Sequence, residues 1–373
     1  MSVPEEPQAP AFVTRLHGSG GSLRGWVVVD SLVDGLAMGG TRMTAGVSEE
    51  EVAGLARDMT DKFTLAGLRI GGAKAGIVAD GAADREETFR TFGRTVKPLL
   101  HGGIHLGIDM GVTPADRAVF FAEAGYDPRF RAGAPDMPID WRTYYEPLID
   151  ATGHGVGVAA VTALEARGHQ GPARVVIQGF GAVGRAVARF LEARGHVVVG
   201  VADVEGTISA DRLPVAALVA ATDEFGRIER SGLPQGVTLS AGADAWLDVD
   251  ADLLVLAAQK HALTAENTHR LRCGVVVEGA NLASSGAAKE KAAGAGVTLV
   301  PGVIANIGGA ASAALAVTRV VPFGLAADAR KAWVFDWVGD RVRQNTVDLL
   351  EIAAGRAGDP LPELLAARRA DRR

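Results

Sequence analysis

Cysteine, membrane-length apolar runs and a secretion leader are scarce or missing in this 373-residue chain. With a single cysteine, Cys273, no intrachain disulfide can form, which favours a reducing compartment. Charged residues, Gly and Asn interrupt the apolar runs well before the length of a membrane span. The first ten residues, MSVPEEPQAP, lack a basic segment followed by an apolar one. We therefore expect no signal peptide, no membrane association and a cytoplasmic location.

Positive charge is also in short supply. The 38 lysines and arginines are outnumbered by 44 aspartates and glutamates, which gives a formal net charge of −6. This balance argues against a general nucleic-acid binder, so no nucleic-acid partner is expected. The eight histidines and one cysteine show no zinc-ligand spacing, and no metal site is predicted. The length suggests two domains, and the 48% hydrophobic content is typical of a globular protein.

The sequence pattern changes near residue 150. Upstream, short apolar runs between 12 and 40 predict strands, Ser48 predicts a helix start with Glu51 as capping-box partner, and Thr113-Pro114 predicts another helix start. Downstream, short strands alternate with helices, which is typical of a doubly wound parallel sheet. The predicted strands there are 174–178, 197–202, 252–257, 274–277 and 297–300.

Residues 126–150 lack periodicity and contain four prolines and the densest aromatic cluster of the chain. They predict a long loop over a site, or a linker between domains.

A glycine-rich motif follows the strand at 174–178. Gly179, Gly181 and Gly184 form a G-x-G-x-x-G pattern that opens a helix, and a second strand ends at Asp203. In this context the motif predicts a dinucleotide site, with Ala182 and Val183 at the helix N-terminus beside the pyrophosphate. Asp203 is placed to bind the ribose hydroxyls, and its charge would repel a 2′-phosphate, which favours NAD. The alternative is a tight strand–helix turn without a ligand.

Three charged residues upstream have unusual neighbours. Lys62 continues the apolar face of a helix, three residues after Met59, so its side chain should point inward. Lys74 and Asp109 each lie among small and apolar residues. Buried charges are costly unless they are paired or functional, and a second cation or burial lowers the pKa of a lysine. Taken singly, each could be an exposed lysine or a turn aspartate; together they predict an acid–base site.

The chain resembles the glutamate/leucine/phenylalanine/valine dehydrogenase family over most of its length. No single motif carries the resemblance, and the motifs follow the family's order. The matching segments are GLAMGGTRM (35–43), MTDKFTLAGLRIGGAKAGI (59–77), GIDMGV (107–112), ATGHGV (151–156), VVIQGFGAVG (175–184), VVEGAN (276–281) and PGVIANIGGA (301–310).

The resemblance implies an α/β protein of two domains. A mixed-sheet domain for substrate binding and oligomerisation would occupy 1–150, and a Rossmann-like NAD-binding domain would occupy 151–322. C-terminal helices at 323–373 would pack back on the first domain. Because the family assembles through its N-terminal domain, a homo-oligomer is expected, with dimer, hexamer and octamer all left open.

The resemblance also implies a reaction, the NAD-dependent oxidative deamination of an L-amino acid to a 2-oxo acid and ammonia. Lys62 resembles the lysine that holds the substrate carboxylate, Lys74 the lysine that activates water, and Asp109 the acid/base at the amine. Three further implied roles are carboxylate binding by the Gly72 backbone, cofactor contacts from Thr152 and Asn281, and a position for Asn306 near nicotinamide and substrate.

Two positions bear on the substrate. Met38 stands where glutamate-specific members of the family have a lysine for the side-chain carboxylate, and leucine-type members have an apolar residue. Ala313 aligns with a serine or a bulkier valine in those members, so an alanine would widen the pocket. Both favour an apolar amino acid, up to a large or aromatic one. Ordinary core packing is the other interpretation of Met38.

Departures from the family pattern keep alternatives open. Asp61 replaces an apolar residue, the 126–150 segment lacks the usual Gly-Gly-Ser approach, and 257–260 is more polar than expected. One alternative is a glutamate dehydrogenase in which another cation binds the side-chain carboxylate, with Arg42, Arg69 or Arg142 as candidates. The other is a catalytically silent NAD-binding regulator.

Overall fold

The computed structural model describes residues 9–18, 23–81, 83–131, 133–233, 235–355 and 358–371. Residues 1–8, most of the N-terminal stretch in which no signal peptide is expected, lie outside the described residues. The chain forms two compact units. Unit 1 contains the chain up to Tyr145 together with Ala313–Arg330, and unit 2 contains Glu146–Ser312 and Lys331–Asp371. The domain limits at 150 and 322 stay predictions.

Unit 1 is built on a five-stranded sheet. Its strands are β1 (Phe12–His17), β2 (Arg24–Val29), β3 (Ala37–Thr44), β4 (Gly71–Val78) and β5 (Ile104–Ile108). They lie in the order β1-β2-β4-β3-β5. The β1/β2 and β2/β4 pairs are antiparallel, whereas β3 pairs in parallel with both β4 and β5. The expected mixed sheet is therefore confirmed.

Four helices accompany this sheet: α1 (Glu49–Ala66), α2 (Arg85–His101), α3 (Pro114–Ala124) and α4 (Trp141–Tyr145). The Ser48 side chain accepts a hydrogen bond from the Glu51 backbone N–H at the start of α1, and Thr113 forms a complete capping box with Asp116 at the start of α3. Both predicted helix starts are confirmed.

The two faces of the sheet bury different helices, because side chains alternate along a strand. Ala73, Ala75 and Ile77 of β4 join a core with phenylalanines of α2 and α3. The opposite face carries α1, where Val28 packs with Val52. Lys74, between Ala73 and Ala75, therefore lies on the α1 face.

The 126–150 segment is irregular except for α4 and a short 3₁₀ turn at Glu146–Leu148. The Arg319 guanidinium, nearly 190 residues later, donates hydrogen bonds to the carbonyls of Pro128, Arg129 and Pro135 at 3.0, 2.9 and 2.8 Å. They join the 126–150 segment to Ala313–Arg330, which also belongs to unit 1.

Unit 2 contains a seven-stranded sheet. Its strands are β6 (Arg174–Gln178), β7 (Val197–Asp203), β8 (Gly206–Ser209), β9 (Thr238–Ser240), β10 (Leu253–Leu256), β11 (Val275–Glu278) and β12 (Thr298–Val300). In the order β12-β11-β10-β6-β7-β8-β9, the strands from β12 to β7 are parallel and β8 and β9 are antiparallel. This Rossmann-like sheet confirms the predicted fold class, and β8 and β9 add two unpredicted strands beyond β7.

The remaining helices are listed together. They are α5 (Ala151–Ala166), α6 (Ala182–Glu192), α7 (Val215–Ala220), α8 (Gly286–Gly294), α9 (Gly302–Ala305), α10 (Gly308–Val317), α11 (Ala327–Ala353) and α12 (Leu361–Asp371), with 3₁₀ turns at Ala245–Asp248 and Thr268–Arg270.

The C-terminal helices from Lys331 onward group with unit 2. Their packing on the first domain stays a prediction. The rings of His154 on α5 and Phe335 on α11 lie 4.9 Å apart. A Cβ added at Gly155 would lie 3.4 Å from Val342, so α11 packs closely on α5. Apolar residues of α11 cover α5 of the second unit, a pairing that helical periodicity alone could not assign.

Candidate active site

The α1 face of the unit 1 sheet brings predicted site residues onto neighbouring strands. Met38 on β3 is paired with Gly72 on β4 and with His105 on β5. Paired positions on adjacent strands point to the same face, so Lys74, two residues after Gly72, shares this face. Asp109 follows the end of β5 on the same alternation.

Lys74 and Asp109 form an ion pair, with 3.0 Å between Lys74 Nζ and Asp109 Oδ2. Arg42 donates from Nε to the same oxygen at 2.9 Å and from a terminal nitrogen to Glu51 Oε1 at 2.7 Å. Burial would raise the pKa of Asp109, but the charges of Lys74 and Arg42 outweigh it and lower this pKa to about 2. Asp109 is therefore a carboxylate near neutral pH.

The sequence suggests Arg42 only as a substitute cation for a substrate carboxylate. In the structure its guanidinium instead binds Asp109 and Glu51, and only 7% of its side chain is exposed. Burial opposes its charge, but attraction to Asp109 and Glu51 outweighs burial and raises the pKa of Arg42. Its position two residues before the end of β3 and on the same face as Met38 was the only sequence signal for this role.

Lys62 lies on the inner side of α1 and is 6% exposed, as its helical spacing predicted. Burial lowers the pKa of this ammonium group to about 8; the Lys74 charge adds to the effect, while Asp58 and Asp109 oppose it. The interaction with Lys74 and Asp109 places all three predicted charged residues in one electrostatic cluster. Such a cluster of perturbed, buried groups is typical of functional sites.

Gly72 is required by packing. A Cβ at this position would lie 2.2 Å from the backbone nitrogen of Thr60 and 2.4 Å from the carbonyl oxygen of Ala56, both on α1. Its N–H donates to Ser31 Oγ at 3.2 Å, and its carbonyl accepts from the Asp30 N–H at 2.9 Å. Because these backbone groups already have partners, carboxylate binding by Gly72 stays a prediction.

His105 next to Met38 was not found by sequence analysis. Burial lowers the pKa of His105 to about 3, with the charges of Arg117 and Arg319 adding to the effect, so its ring is neutral. The ring lies 5.3 Å from that of Trp141, which stacks on Tyr145 at 5.8 Å. Aromatic residues of the 126–150 segment thus pack on the residue beside Met38.

The glycine-rich turn of unit 2 has the geometry of a dinucleotide site. Gly179 has φ +95°, and a Cβ on it would lie 2.6 Å from the Ala258 nitrogen. A Cβ on Gly184 would lie 2.0 Å from the Gly179 oxygen, whereas one on Gly181 would meet no atom within 4 Å. Gly181 also caps α6 without a side-chain hydrogen bond, and Ala182 and Val183 begin the helix. Open space at an uncapped helix N-terminus fits a pyrophosphate.

Asp203 lies at the end of β7, as predicted, but its carboxylate is occupied. Two nitrogens of Arg230 donate to its two oxygens at 2.6 Å each, and the backbone N–H groups of Glu205 and Ile228 donate at 2.9 and 2.7 Å. Burial is outweighed mainly by the Arg230 hydrogen bonds, so the pKa of Asp203 is lowered. Because Arg230 compensates the negative charge of Asp203, this charge no longer favours NAD over NADP.

The other predicted cofactor residues also lie in unit 2. Asn306, at the end of α9, donates from Nδ2 to Asn281 Oδ1 and to the Gly279 carbonyl, both at 3.1 Å, while its buried Oδ1 has no partner. Thr152 Oγ1 accepts a hydrogen bond from the Gly309 N–H at 3.0 Å. The buried Asn306 Oδ1 is therefore suited to accept a hydrogen bond from a ligand donor such as a carboxamide.

Glu278 holds the loop that carries Asn281. This residue is 1% exposed, and its carboxylate accepts hydrogen bonds at 2.9 Å from the N–H groups of Ser284 and Gly302. It thereby fixes both Asn281 and the helix leading to Asn306. Glu278 lies in the motif VVEGAN, but the sequence analysis gave this buried acidic residue no role. Ala313 lies half-buried on α10, and its specificity role stays a prediction.

Among the described residues, no group of three or more His, Cys, Asp or Glu side chains could hold a metal ion. A search of the same residues finds no helix with both the length and the apolar character needed to cross a bilayer.

Family models match both parts of the chain. The glutamate/leucine/phenylalanine/valine dehydrogenase model matches residues 148–323, and the dimerisation-domain model of the same family matches residues 10–125. The chain belongs to this family. Its two-unit fold is that of the amino-acid dehydrogenases.

Relatives with either cofactor are similar to this chain. The catabolic NAD-specific glutamate dehydrogenase of Bacillus subtilis is 30% identical over 74% of this chain and 66% of its own length. The NADP-specific glutamate dehydrogenase of Saccharolobus shibatae is 29% identical over 79% of this chain and 71% of its own. The chain thus spans about two thirds of the length of these relatives.

A solved structure extends the similarity to the whole fold. The hetero-hexameric glutamate dehydrogenase of Thermus thermophilus, in a leucine-bound form, superposes with a TM-score of 0.76. It is 25% identical, and the match covers 97% of this chain and 90% of that one.

Proposed function

We propose that this protein catalyses the reversible, nicotinamide-dinucleotide-dependent oxidative deamination of an apolar L-amino acid to its 2-oxo acid and ammonia. The observation that carries the proposal is the buried 3.0 Å pair of Lys74 and Asp109, electrostatically coupled to a buried Lys62. Burying three charges is costly, and a silent binding protein would gain nothing from retaining them.

The residues of unit 1 would divide the chemistry. Lys62 binds the substrate carboxylate as an ammonium ion, since its pKa of about 8 keeps it mostly protonated at neutral pH. Both cations contact Oδ2 of Asp109, so we assign Oδ1 to the substrate amine, from which it accepts a proton. Lys74 then stabilises the negative charge on the oxygen as water adds to the imine carbon.

In unit 2, Gly181 and the start of α6 would hold the pyrophosphate, and Asn306 and Asn281 would face the nicotinamide. Once held by these residues, the dinucleotide would supply the acceptor for the hydride of the substrate α-carbon. NAD is proposed as one accepted cofactor. Because family relatives carry a dimerisation domain, we also propose a homo-oligomer, measurable by light scattering.

Preference for an apolar side chain rests on the surroundings of Met38. This side chain is 3% exposed, and its two strand partners, Gly72 and neutral His105, carry no charge. A substrate γ-carboxylate placed beside Met38 would lose its hydration, and neither of these strand partners would give it a positive charge in return. The aromatic group around His105 extends this surface toward large substrates.

Glutamate is the second candidate, because the relatives above act on it by name. It would need a substitute cation. Arg42 binds Asp109 and Glu51, Arg69 lies largely exposed in an ion pair with Asp34, and Arg142 is exposed on α4. Arg42 and Arg69 would have to give up protein partners before they could bind a substrate.

The test is initial-rate measurement of NADH formation with a panel of L-amino acids from valine to tryptophan, plus glutamate. We expect turnover of apolar substrates, and we expect Met38→Lys to raise the glutamate-to-leucine ratio of kcat/KM by about tenfold or more. Met38→Leu is the matched control and should leave this ratio nearly unchanged. Wild-type preference for glutamate over every apolar substrate would refute the specificity assignment.

A further inference from the structure

Arg117, on α3, carries a partly buried positive charge that no carboxylate of the described residues balances. Its side chain has neither an ion pair nor a hydrogen bond within that part of the chain. Its guanidinium carbon lies 5.9 Å from the centre of the Phe121 ring and 6.0 Å from that of Trp141. Burial lowers the pKa of Arg117, and the phenol of Tyr145 is the group that opposes this effect. We call these four residues the Arg117 cage.

Two donors in this region are also unsatisfied. The indole N–H of Trp141 and the Nε group of Arg131 are buried, and neither has a hydrogen-bond partner among the described residues. Indole and guanidinium groups can only donate, so they cannot satisfy each other. Because unpartnered buried donors are rare in proteins, these two indicate that an acceptor from outside the described residues binds here.

Positive charge also prevails around Tyr126, whose ring lies 5.0 Å from that of Phe121 in the cage. Burial raises the pKa of Tyr126 to about 12, and the charges of Arg319 and Arg131 oppose this rise. Asp127 adds to the rise, but it already forms an ion pair within its own turn. Contacts between arginine and aromatic rings offset only part of the cost of burying a charge. An anion would therefore stabilise this region.

The cage lies away from the charged cluster of Lys74 and Asp109. It borders His105 on β5, whose ring is 5.3 Å from that of Trp141. His105 precedes Asp109 by four residues, which corresponds to about 13 Å along a strand. An occupant of the cage is therefore a second molecule, and not the side chain of an amino acid held by its amine at Asp109.

We propose that Arg117 and Trp141 bind the carboxylate of a second small molecule, an organic acid whose apolar body packs against the rings of the cage. The guanidinium fork and the indole N–H can donate to the two oxygens of one carboxylate, each at about 2.9 Å. Arg117, Trp141 and Tyr145 are all partly exposed, so a solute can reach the cage. This site does not depend on the proposed reaction.

Calorimetric titration with phenylacetate tests the site. Lys62→Met provides the background, because it removes the lysine proposed to bind a substrate carboxylate in the charged cluster. We expect one equivalent of phenylacetate to bind, and acetate, which lacks the apolar body, to bind about tenfold more weakly. In this background Arg117→Gln should weaken phenylacetate binding by about tenfold or more. Trp141→Phe, which keeps a ring but removes the N–H, should weaken it a few-fold.

Arg24→Gln is the matched control. Arg24 is exposed on β2, three strands away from β5 in the sheet, so its replacement should leave the affinity unchanged. A second measurement uses the indole N–H resonances of the five tryptophans. The Trp141 resonance, identified by its absence in Trp141→Phe, should move on titration of the wild type with phenylacetate, and the movement should be lost in Arg117→Gln.

Three results would overturn the proposal: no binding of phenylacetate to the wild type, unchanged affinity in Arg117→Gln, or inorganic phosphate binding as tightly as phenylacetate. If phenylacetate did not bind and Arg117→Gln changed the mass in light scattering, a second copy of the chain would cover the cage instead. Because titration needs no turnover, phenylacetate binding by a protein that deaminates no amino acid would support this site and refute the dehydrogenase proposal.

Discussion

The proposed sites of the two units differ in the groups that form them. Unit 1 uses charged side chains withdrawn from water, with Lys62 and Lys74 each no more than 6% exposed. Unit 2 uses backbone groups and the open space around Gly181. Its buried carboxylates, Asp203 and Glu278, accept hydrogen bonds from backbone N–H groups of neighbouring loops. Chemistry on a substrate therefore costs stability in unit 1, whereas dinucleotide binding in unit 2 depends on keeping side chains away.

The largest expected effect is in unit 1. Lys74→Ala should lower kcat by about a thousandfold, because the positive charge next to the reacting carbon is lost. Dinucleotide binding, measured by calorimetry, should be unchanged, because the change lies in the other unit. Lys97→Ala, at an exposed position on α2, is the control and should retain full activity. If Lys74→Ala retained its activity, the charged cluster would have no chemical role, and the prediction would be wrong.

A second change should separate stability from activity. The pKa of Lys62 is lowered from 10.5 to about 8, so between these pH values the unfolded chain holds a proton that the folded chain lacks. Stability therefore rises with pH across this window, and the full penalty, about 3 kcal/mol, persists below it. Lys62→Met should raise the Tm at pH 7 more than at pH 10.5, and should abolish turnover.

The control for that experiment is Lys97→Met, which should shift the Tm little at either pH. A lower Tm for Lys62→Met at both pH values would mean that the buried ammonium group stabilises the fold. The contrast between the two units would then disappear.

The smallest expected effect is in unit 2, where two glycines of the same turn, Gly181 and Gly184, are compared. Gly181→Ala places a methyl group in open space, so the Tm should hold while dinucleotide affinity falls by about tenfold. Gly184→Ala places it 2.0 Å from the Gly179 oxygen, so the Tm should fall as well. Thermal melts and calorimetry measure both. Equal losses of stability in the two variants would show that Gly181 is a packing residue.

Local patterns could predict much of this molecule. The glycine-rich turn, the inward direction of Lys62 and the start of α3 each depend on spacings of a few residues, which a sequence shows directly. The short strands β8 and β9 were not predicted, because they are four and three residues long and β9 is mostly exposed.

Pairings distant in sequence could not be predicted. Arg42 and Asp109 are 67 residues apart, and Arg230 and Asp203 are 27 apart, on elements whose proximity depends on the tertiary fold. Both arginines bind an aspartate that the sequence predicts as a site residue. Arg42 adds to the effect of Lys74 in lowering the pKa of Asp109, and Arg230 occupies oxygens of Asp203 that a ribose would need.

The hydrogen bonds from Arg319 to the carbonyls of Pro128, Arg129 and Pro135 have a consequence for how the chain is made. A ribosome releases the sheet of unit 1 long before residue 319 is synthesised, so the 126–137 segment emerges without its anchor. Unit 2 likewise includes α11 from Lys331 onward and α12, the last helices to be synthesised. Both units therefore finish folding late and close together in time, and a fragment ending near residue 150 would lack the anchor.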